Sequence, residues 1–180
     1  SLQFCSKNVN KILLLSGDTP SKQINSKDKS SNLLFGDGAS ATLIEYDENC
    51  NDDIYLSQGI DGSGYQSICI NDGGYRNPIN KKSFNEFSDE KGNTRSKLNL
   101  NMKGDNVFLF GISRVPKQLK IFINDFNIDI NNIDFFVMHQ ANMMMNKMIA
   151  KKLKIEENKT LYSLKKFGNT SSLSIPLTIV

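Results

Sequence analysis

The chain has 180 residues, 38% of them hydrophobic, with a net charge of +3 and a mean hydropathy of -0.38. That length suits one domain, or part of a larger one. So mild a charge, with no concentrated basic surface interleaved with aromatics, argues against nucleic acid as a partner; no run of about 18 apolar residues occurs, so no membrane span is expected.

Much of the polarity is asparagine and lysine, and the apolar runs between these stretches are intact. Ser1 to Asn10 reads as the end of a helix, with Leu2, Phe4, Cys5 and Val9 as its apolar positions. Lys11 to Asp18 is a short continuous apolar run and predicts a fully buried strand. Pro20 to Ser31 reads as a loop. Gly36-Asp37-Gly38 then reads as a tight hairpin before a strand over Ala39 to Tyr46; the alternative, a phosphate cradle, lacks a Walker pattern. Ile54 to Ser57 reads as a short strand. Gly59 to Leu98 is too long for a structureless connection and is expected to hold short elements or functional loops.

Met102 to Phe126 carries apolar residues at three- and four-residue spacing, predicting a long helix that Pro116 should kink or break near Val115. Ile133 to Met138 predicts a buried strand. Asn142 to Leu153 predicts a helix with Met145, Met148, Ile149 and Leu153 on one stripe, and Lys147, Lys151 and Lys154 on another face. Leu161 to Leu164 reads as a short strand. Thr170 or Ser171 is expected to cap a last helix, with Pro176 in its first turn. Alternating strands and helices make the chain α/β.

Three cysteines, Cys5, Cys50 and Cys69, are widely spaced with no CxxC pattern. A zinc site or other metal centre and a disulfide framework are not expected, and a reducing, cytoplasmic compartment fits better. The single histidine, His139, lies in Phe135-Phe136-Val137-Met138-His139-Gln140-Ala141-Asn142, where an apolar run ends. A lone histidine there is more often structural than catalytic. The strand-to-helix junction and the polar neighbours Gln140 and Asn142 raise its standing, because α/β active sites lie at such exits. Downstream, Phe167-Gly168-Asn169-Thr170-Ser171-Ser172 delivers a carboxamide on a glycine turn. Asn169 alone reads as a turn or cap; paired with His139 it supplies the second of two neutral donors able to hold an oxyanion or enolate.

Several stretches together resemble β-ketoacyl-acyl-carrier-protein synthase III, a thiolase-fold condensing enzyme. They are Leu13 to Asp18, Leu34-Phe35-Gly36-Asp37-Gly38-Ala39-Ser40-Ala41, Asp61 to Gly64, Met102 to Phe108, His139-Gln140-Ala141-Asn142 and Gly168-Asn169-Thr170-Ser171-Ser172. The resemblance implies a layered α/β/α thiolase-like fold, incomplete in this chain. Residues 1–100 would be the end of the N-terminal half plus a loop-rich connection, and 101–180 a truncated C-terminal half.

It further implies a Cys-His-Asn triad in which His139 and Asn169 take the last two roles, while the nucleophile falls upstream of Ser1 and Cys5 does not inherit it. The implied reaction is decarboxylating Claisen condensation of an acyl-coenzyme A with a malonyl-carrier thioester. Coenzyme A enters as a substrate thioester, and no resident cofactor is implied. Gln140 and Asn142 would support the wall of the substrate pocket, and Lys29 would stand where an arginine often meets the adenine. Lys147, Lys151 and Lys154 would dock the acidic carrier protein. A homodimer with Lys11 to Asp18 near its interface is also implied.

Met144 and Leu109 stand where the family often has arginine and lysine, which leaves room for a specialised pathway. Two rivals remain: acyl transfer to an alcohol or amine without condensation, and a non-catalytic paralogue acting as a binding subunit. The 180 residues alone are expected to lack turnover, and to associate through exposed apolar surface.

Overall fold

Backbone pairing in this chain is set mainly by one pair of alternating strands, and two packed helices hold the core. The computed structural model describes residue 6, residues 8–50 and residues 53–180. Most of the expected first helix lies outside these; within it, Ser6 and Val9 exchange backbone hydrogen bonds of 3.0 and 2.9 Å and form a tight turn.

Strand β1 (Lys11–Asp18) pairs antiparallel with β2 (Gly38–Glu45), Lys11 opposite Glu45 and Asp18 opposite Gly38. The expectation of full burial fails. Burial alternates strictly along both strands, and Leu13 and Leu15 on β1 face outward with Leu43 on β2, at 60%, 68% and 57% exposure. The other face leans on the turn Ser171–Leu173, whose Leu173 is 2% exposed. One covered face gives period-two burial, whatever the sequence contributes to the other.

The loop-rich middle does hold short elements: β3 (Ile68–Ile70), β4 (Phe87–Ser88), β5 (Thr94–Arg95) and β6 (Leu100–Met102). β3 pairs antiparallel with β6, and β4 with β5. No strand forms over Ile54 to Ser57. Side chains hold that segment instead: the Tyr55 ring lies 4.8 Å from that of Phe126, and Ser57 Oγ accepts from Gln118 Nε2 at 2.9 Å.

A buried ionic cluster ties the middle region to the loop before β2. Arg95, 5% exposed, reaches Asp28, which has no exposed surface, at 3.3 Å, and also pairs with Asp89. Arg95 also donates to Asn101 Oδ1 at 2.9 Å. Bonds from Asn93 and Lys91, together with the Arg95 charge, hold the Asp89 carboxyl below its usual range.

Helix α1 (Gly104–Asp125) runs through Pro116 without a break near Val115, the second of the two expected outcomes. Proline has no N–H, so the carbonyl of Ile112 loses its intrahelical donor. Lys152 Nζ, from the neighbouring helix, donates to that carbonyl at 2.6 Å. Helix α2 (Met143–Leu153) packs on α1 through Met145, Ile149 and Leu153. Gly111 permits the approach, since a Cβ there would lie 2.3 Å from Met145 Sδ. Asn142 caps α2, its Oδ1 accepting from Met145 N–H at 3.1 Å.

The expected strand at Ile133 to Met138 reduces to one parallel bridge, Phe136 with Thr160. The segment Leu161 to Leu164 is not a strand; Leu164–Phe167 forms a one-turn helix, α3. Helix α4 (Ser174–Ile179) closes the chain with Pro176 in its first turn. No helix among the described residues is long and apolar enough to cross a membrane.

Candidate active site

His139 is held by its backbone before its ring makes any contact. Its carbonyl accepts from Ala141 N–H at 3.0 Å and from Asn146 Nδ2 at 3.1 Å. Asn146 sits on α2 and is 2% exposed, so the helix fixes the residue that precedes it. Gln140 acts from the other side. It has no exposed surface; its Nε2 donates to the carbonyls of Met138 (2.7 Å) and Leu161 (3.4 Å), and its Oε1 accepts from Ser163 N–H at 3.1 Å. Gln140 thereby ties Met138 to residues 161–163. Asn142 likewise spends its side-chain oxygen on the α2 cap.

The ring of His139 meets Ser174 at the start of α4, with Nδ1 2.7 Å from Oγ. Thr178 Oγ1 donates to the Ser174 carbonyl at 2.6 Å and lies 2.7 Å from Ser163 Oγ. Because its proton goes to Ser174, it accepts from the Ser163 hydroxyl. A polar circuit results, running from His139 through Ser174, Thr178 and Ser163 to Gln140, which adjoins His139 in the chain. Burial lowers the pKa of His139 from the ordinary 6.5, with no charged partner contributing. At neutral pH the imidazole is neutral and has one N–H to donate.

Asn169 is placed by contacts from the far end of the sequence. Its N–H donates to Leu34 O at 2.8 Å, and its carbonyl accepts from Gly36 N–H at 2.9 Å, forming a parallel bridge with Phe35. The residue is 8% exposed. Its Oδ1 accepts from Ser171 N–H at 3.0 Å, leaving the NH2 as the end of the carboxamide that can serve a ligand. The expected side-chain cap from Thr170 or Ser171 does not form: Thr170 makes no cap bond, and α4 starts after Leu173 without one.

Gly36-Asp37-Gly38 is therefore not a tight hairpin. β1 and β2 are joined by the whole 19–37 connection, and the glycines serve close approach instead. A Cβ on Gly36 would lie 2.2 Å from Phe167 O, and one on Gly38 would lie 2.9 Å from Leu173 Cδ1. Asp37 anchors the loop by accepting from Ser21 N–H at 2.9 Å and from its hydroxyl. Gly168 has φ +69, and a Cβ there would meet Leu34 O at 2.9 Å. Backbone atoms cannot yield as a flexible side chain can. Gly36→Ala is expected to destabilise the chain by about 1–3 kcal/mol, read as a lower urea midpoint at unchanged m-value; an unchanged midpoint would contradict the packing described.

The remaining expected residues lie apart from this circuit. Lys29 is exposed in the loop carrying Asp28, and no described contact brings it to His139. Lys147, Lys151 and Lys154 are exposed, and Lys147 is paired with Glu157 at 3.1 Å. Leu109 and Met144 are exposed as well. Clefts of about 840 and 560 Å³ lie beside β6 and are not lined by His139 or Asn169. Cys69 is half-buried and Cys50 exposed, while Cys5 lies outside the described residues. Sequence reading missed Ser174 and Asn146; each is one polar residue among several, and only the fold selects it.

Known proteins resemble this chain in sequence and fold. Residues 3–62 match the family 3-oxoacyl-[acyl-carrier-protein (ACP)] synthase III, and residues 123–180 match 3-oxoacyl-[acyl-carrier-protein (ACP)] synthase III C terminal. The chain is 35% identical to the beta-ketoacyl-[acyl-carrier-protein] synthase III of Porphyra umbilicalis, over 94% of the chain and 50% of that protein. It is 36% identical to synthase III 2 of Staphylococcus epidermidis, over 94% and 48%. A 2.1 Å crystal structure of a 3-oxoacyl-(acyl-carrier-protein) synthase III superposes with a TM-score of 0.89 at 36% identity, covering 95% of this chain and 51% of that one. The corresponding synthase from Burkholderia xenovorans gives 0.75 at 31% identity, over 96% and 48%. The fold is thus thiolase-like α/β, and the chain spans about half the length of the curated relatives it matches. With both family matches in order and the superposition following nearly the whole backbone, the chain belongs to the 3-oxoacyl-[acyl-carrier-protein] synthase III family.

Proposed function

We propose that these residues form the His-Asn portion of a decarboxylating condensing enzyme that joins an acyl-coenzyme A to a malonyl-carrier thioester in fatty acid or related biosynthesis. In this reading a cysteine outside the chain attacks the acyl thioester and expels the coenzyme A thiol. The malonyl thioester then loses carbon dioxide, and negative charge gathers on its carbonyl oxygen. His139 and Asn169 each donate a hydrogen bond to that oxygen. The enolate carbon attacks the acyl-cysteine, and the cysteine thiolate leaves as the 3-oxoacyl thioester forms.

The observation that carries this reading is the state of the two donors. Burial keeps His139 neutral, and the Ser171 N–H ties back the Asn169 oxygen so that its NH2 is presented. The bond from His139 to Ser174 links the two segments, since Ser174 follows the Asn169 turn directly. Neutral donors stabilise developing negative charge without forming a permanent ion pair with the ground state.

On this proposal residues 1–100 complete one thiolase-like half and 101–180 begin the other, in a cytoplasmic homodimer. The outward apolar face of Leu13, Leu15 and Leu43 supports burial of that sheet in a larger assembly. Lys29 would approach the coenzyme A adenine. Lys151 and Lys154, with Lys147 partly neutralised by Glu157, would meet the acidic carrier.

The test is release of carbon dioxide from malonyl-carrier thioester, dependent on acyl-coenzyme A, by a family-length polypeptide carrying this sequence. Acyl transfer without such release would favour the non-condensing rival, and neither reaction would favour a binding subunit.

A further inference from the structure

We infer that Ser174 is a positioning residue that fixes the tautomer of His139, placing the ring proton on Nε2. The inference deepens the proposed function and rests on it for its catalytic meaning, although the proton assignment itself stands on the geometry alone.

Ser174 is 1% exposed, and its Oγ lies 2.7 Å from His139 Nδ1. A hydroxyl shut away from water must place its proton on an acceptor or lose that bond outright. The imidazole nitrogen is the acceptor the fold brings to Oγ. The Ser174 carbonyl is already served by Thr178.

Two proton arrangements are possible. If Nδ1 carried the proton it would donate to Oγ, and the serine proton would be stranded in a site closed to water. If Ser174 donates to the bare Nδ1, both groups are satisfied and the ring proton sits on Nε2. The second arrangement leaves no buried donor unmatched. It also leaves the donating edge of the ring on the side away from Ser174.

The same bond resists protonation of the ring. An imidazolium carries protons on both nitrogens and would drive the serine proton off its acceptor. Among the described residues, the side chains hydrogen-bonded to His139 are Ser174 of α4 and Asn146 of α2, neither of them an acid or a base. The hydroxyl therefore adds to what burial already does.

His139 is the one histidine of the chain, so long-range proton–nitrogen NMR on histidine-labelled protein reads its tautomer without ambiguity. The unsubstituted chain is expected to show a bare Nδ1 and a protonated Nε2. In Ser174→Ala the signals should move toward a mixture of tautomers and the ring should titrate at higher pH. Ser174→Thr keeps the hydroxyl and should retain the original pattern. In the family-length polypeptide, Ser174→Ala should lower condensation by about 10- to 100-fold, the scale of losing an orienting partner, with the acid limb of the rate profile moved to higher pH.

A protonated Nδ1 in the unsubstituted chain would overturn the inference. So would an alanine variant, folded by its amide spectrum, that keeps both the tautomer and the titration of the parent. A polypeptide that shows the Nε2 proton and yet no condensation would sink the functional reading and leave the role of Ser174 standing.

Discussion

A family-length polypeptide carrying His139→Ala is expected to lose about 10²- to 10³-fold in condensation rate, the usual cost of removing one donor from an oxyanion site. The loss should fall on decarboxylation and carbon–carbon bond formation and spare acyl transfer to the nucleophile, because the charge that His139 meets develops on the malonyl thioester. For Asn169 the informative replacement is aspartate. Asn169→Asp keeps an oxygen for the Ser171 N–H, so the turn survives, but it replaces the free NH2 by an acceptor carrying negative charge. Its loss should equal or exceed that of His139→Ala. The double variant should lose less than the product of the two, since both donors serve one oxygen. Carbon dioxide release and single-turnover acylation, measured side by side, separate these outcomes. Full activity in Asn169→Asp would remove the carboxamide from the mechanism.

The largest stability effect is expected at Arg95. Replacement by leucine leaves Asp28, with no exposed surface, without its cationic partner. Breaking a buried pair from one side costs about 3–5 kcal/mol, because the remaining charge must stay desolvated or take up a proton. Asp28 keeps local bonds from Ser30, one from its N–H at 3.0 Å and one from its hydroxyl at 2.5 Å. The urea midpoint should fall accordingly, and adding Asp28→Asn should restore part of the loss by removing the stranded charge. Because the cluster fastens the loop carrying Lys29 to the β4–β6 region, Arg95→Leu should also loosen that loop. A single replacement costing under about 1 kcal/mol would mean that the pair behaves like a surface salt bridge.

Helices α1 and α2 were legible because their apolar spacing matches what one covered face requires; β1 was legible as a strand, but its continuous apolar run pointed to burial on both faces and only one is covered. Pro116 left a break in α1 open, since a proline argues for one unless something answers the carbonyl it orphans. Lys152 does so from another helix, and no local pattern announces it. The Ile133 to Met138 run read as a strand because it is apolar. A strand also needs a ladder partner, and among the described residues only Thr160 supplies a bridge. Gly36-Asp37-Gly38 carried turn composition, but its glycines answer to Phe167 and Leu173, far along the chain.

The site was half legible. His139 and Asn169 stood out as a motif pair. Their supports did not, because Ser174 is one hydroxyl among several and its direction depends on where α4 begins. The Arg95–Asp28 pair was equally hidden, with its members scattered in polar stretches that read as loop.

The bridge between Phe35 and Asn169 has a bearing on folding order. The amide protons of Gly36 and Asn169 both donate across this one contact, so they should exchange with solvent together, as a single opening unit. Closing it joins segments 134 positions apart (169 minus 35), and such distant pairing forms late. Local opening there would release the carboxamide while the imidazole stays anchored, so the two groups would be lost at different stages of unfolding.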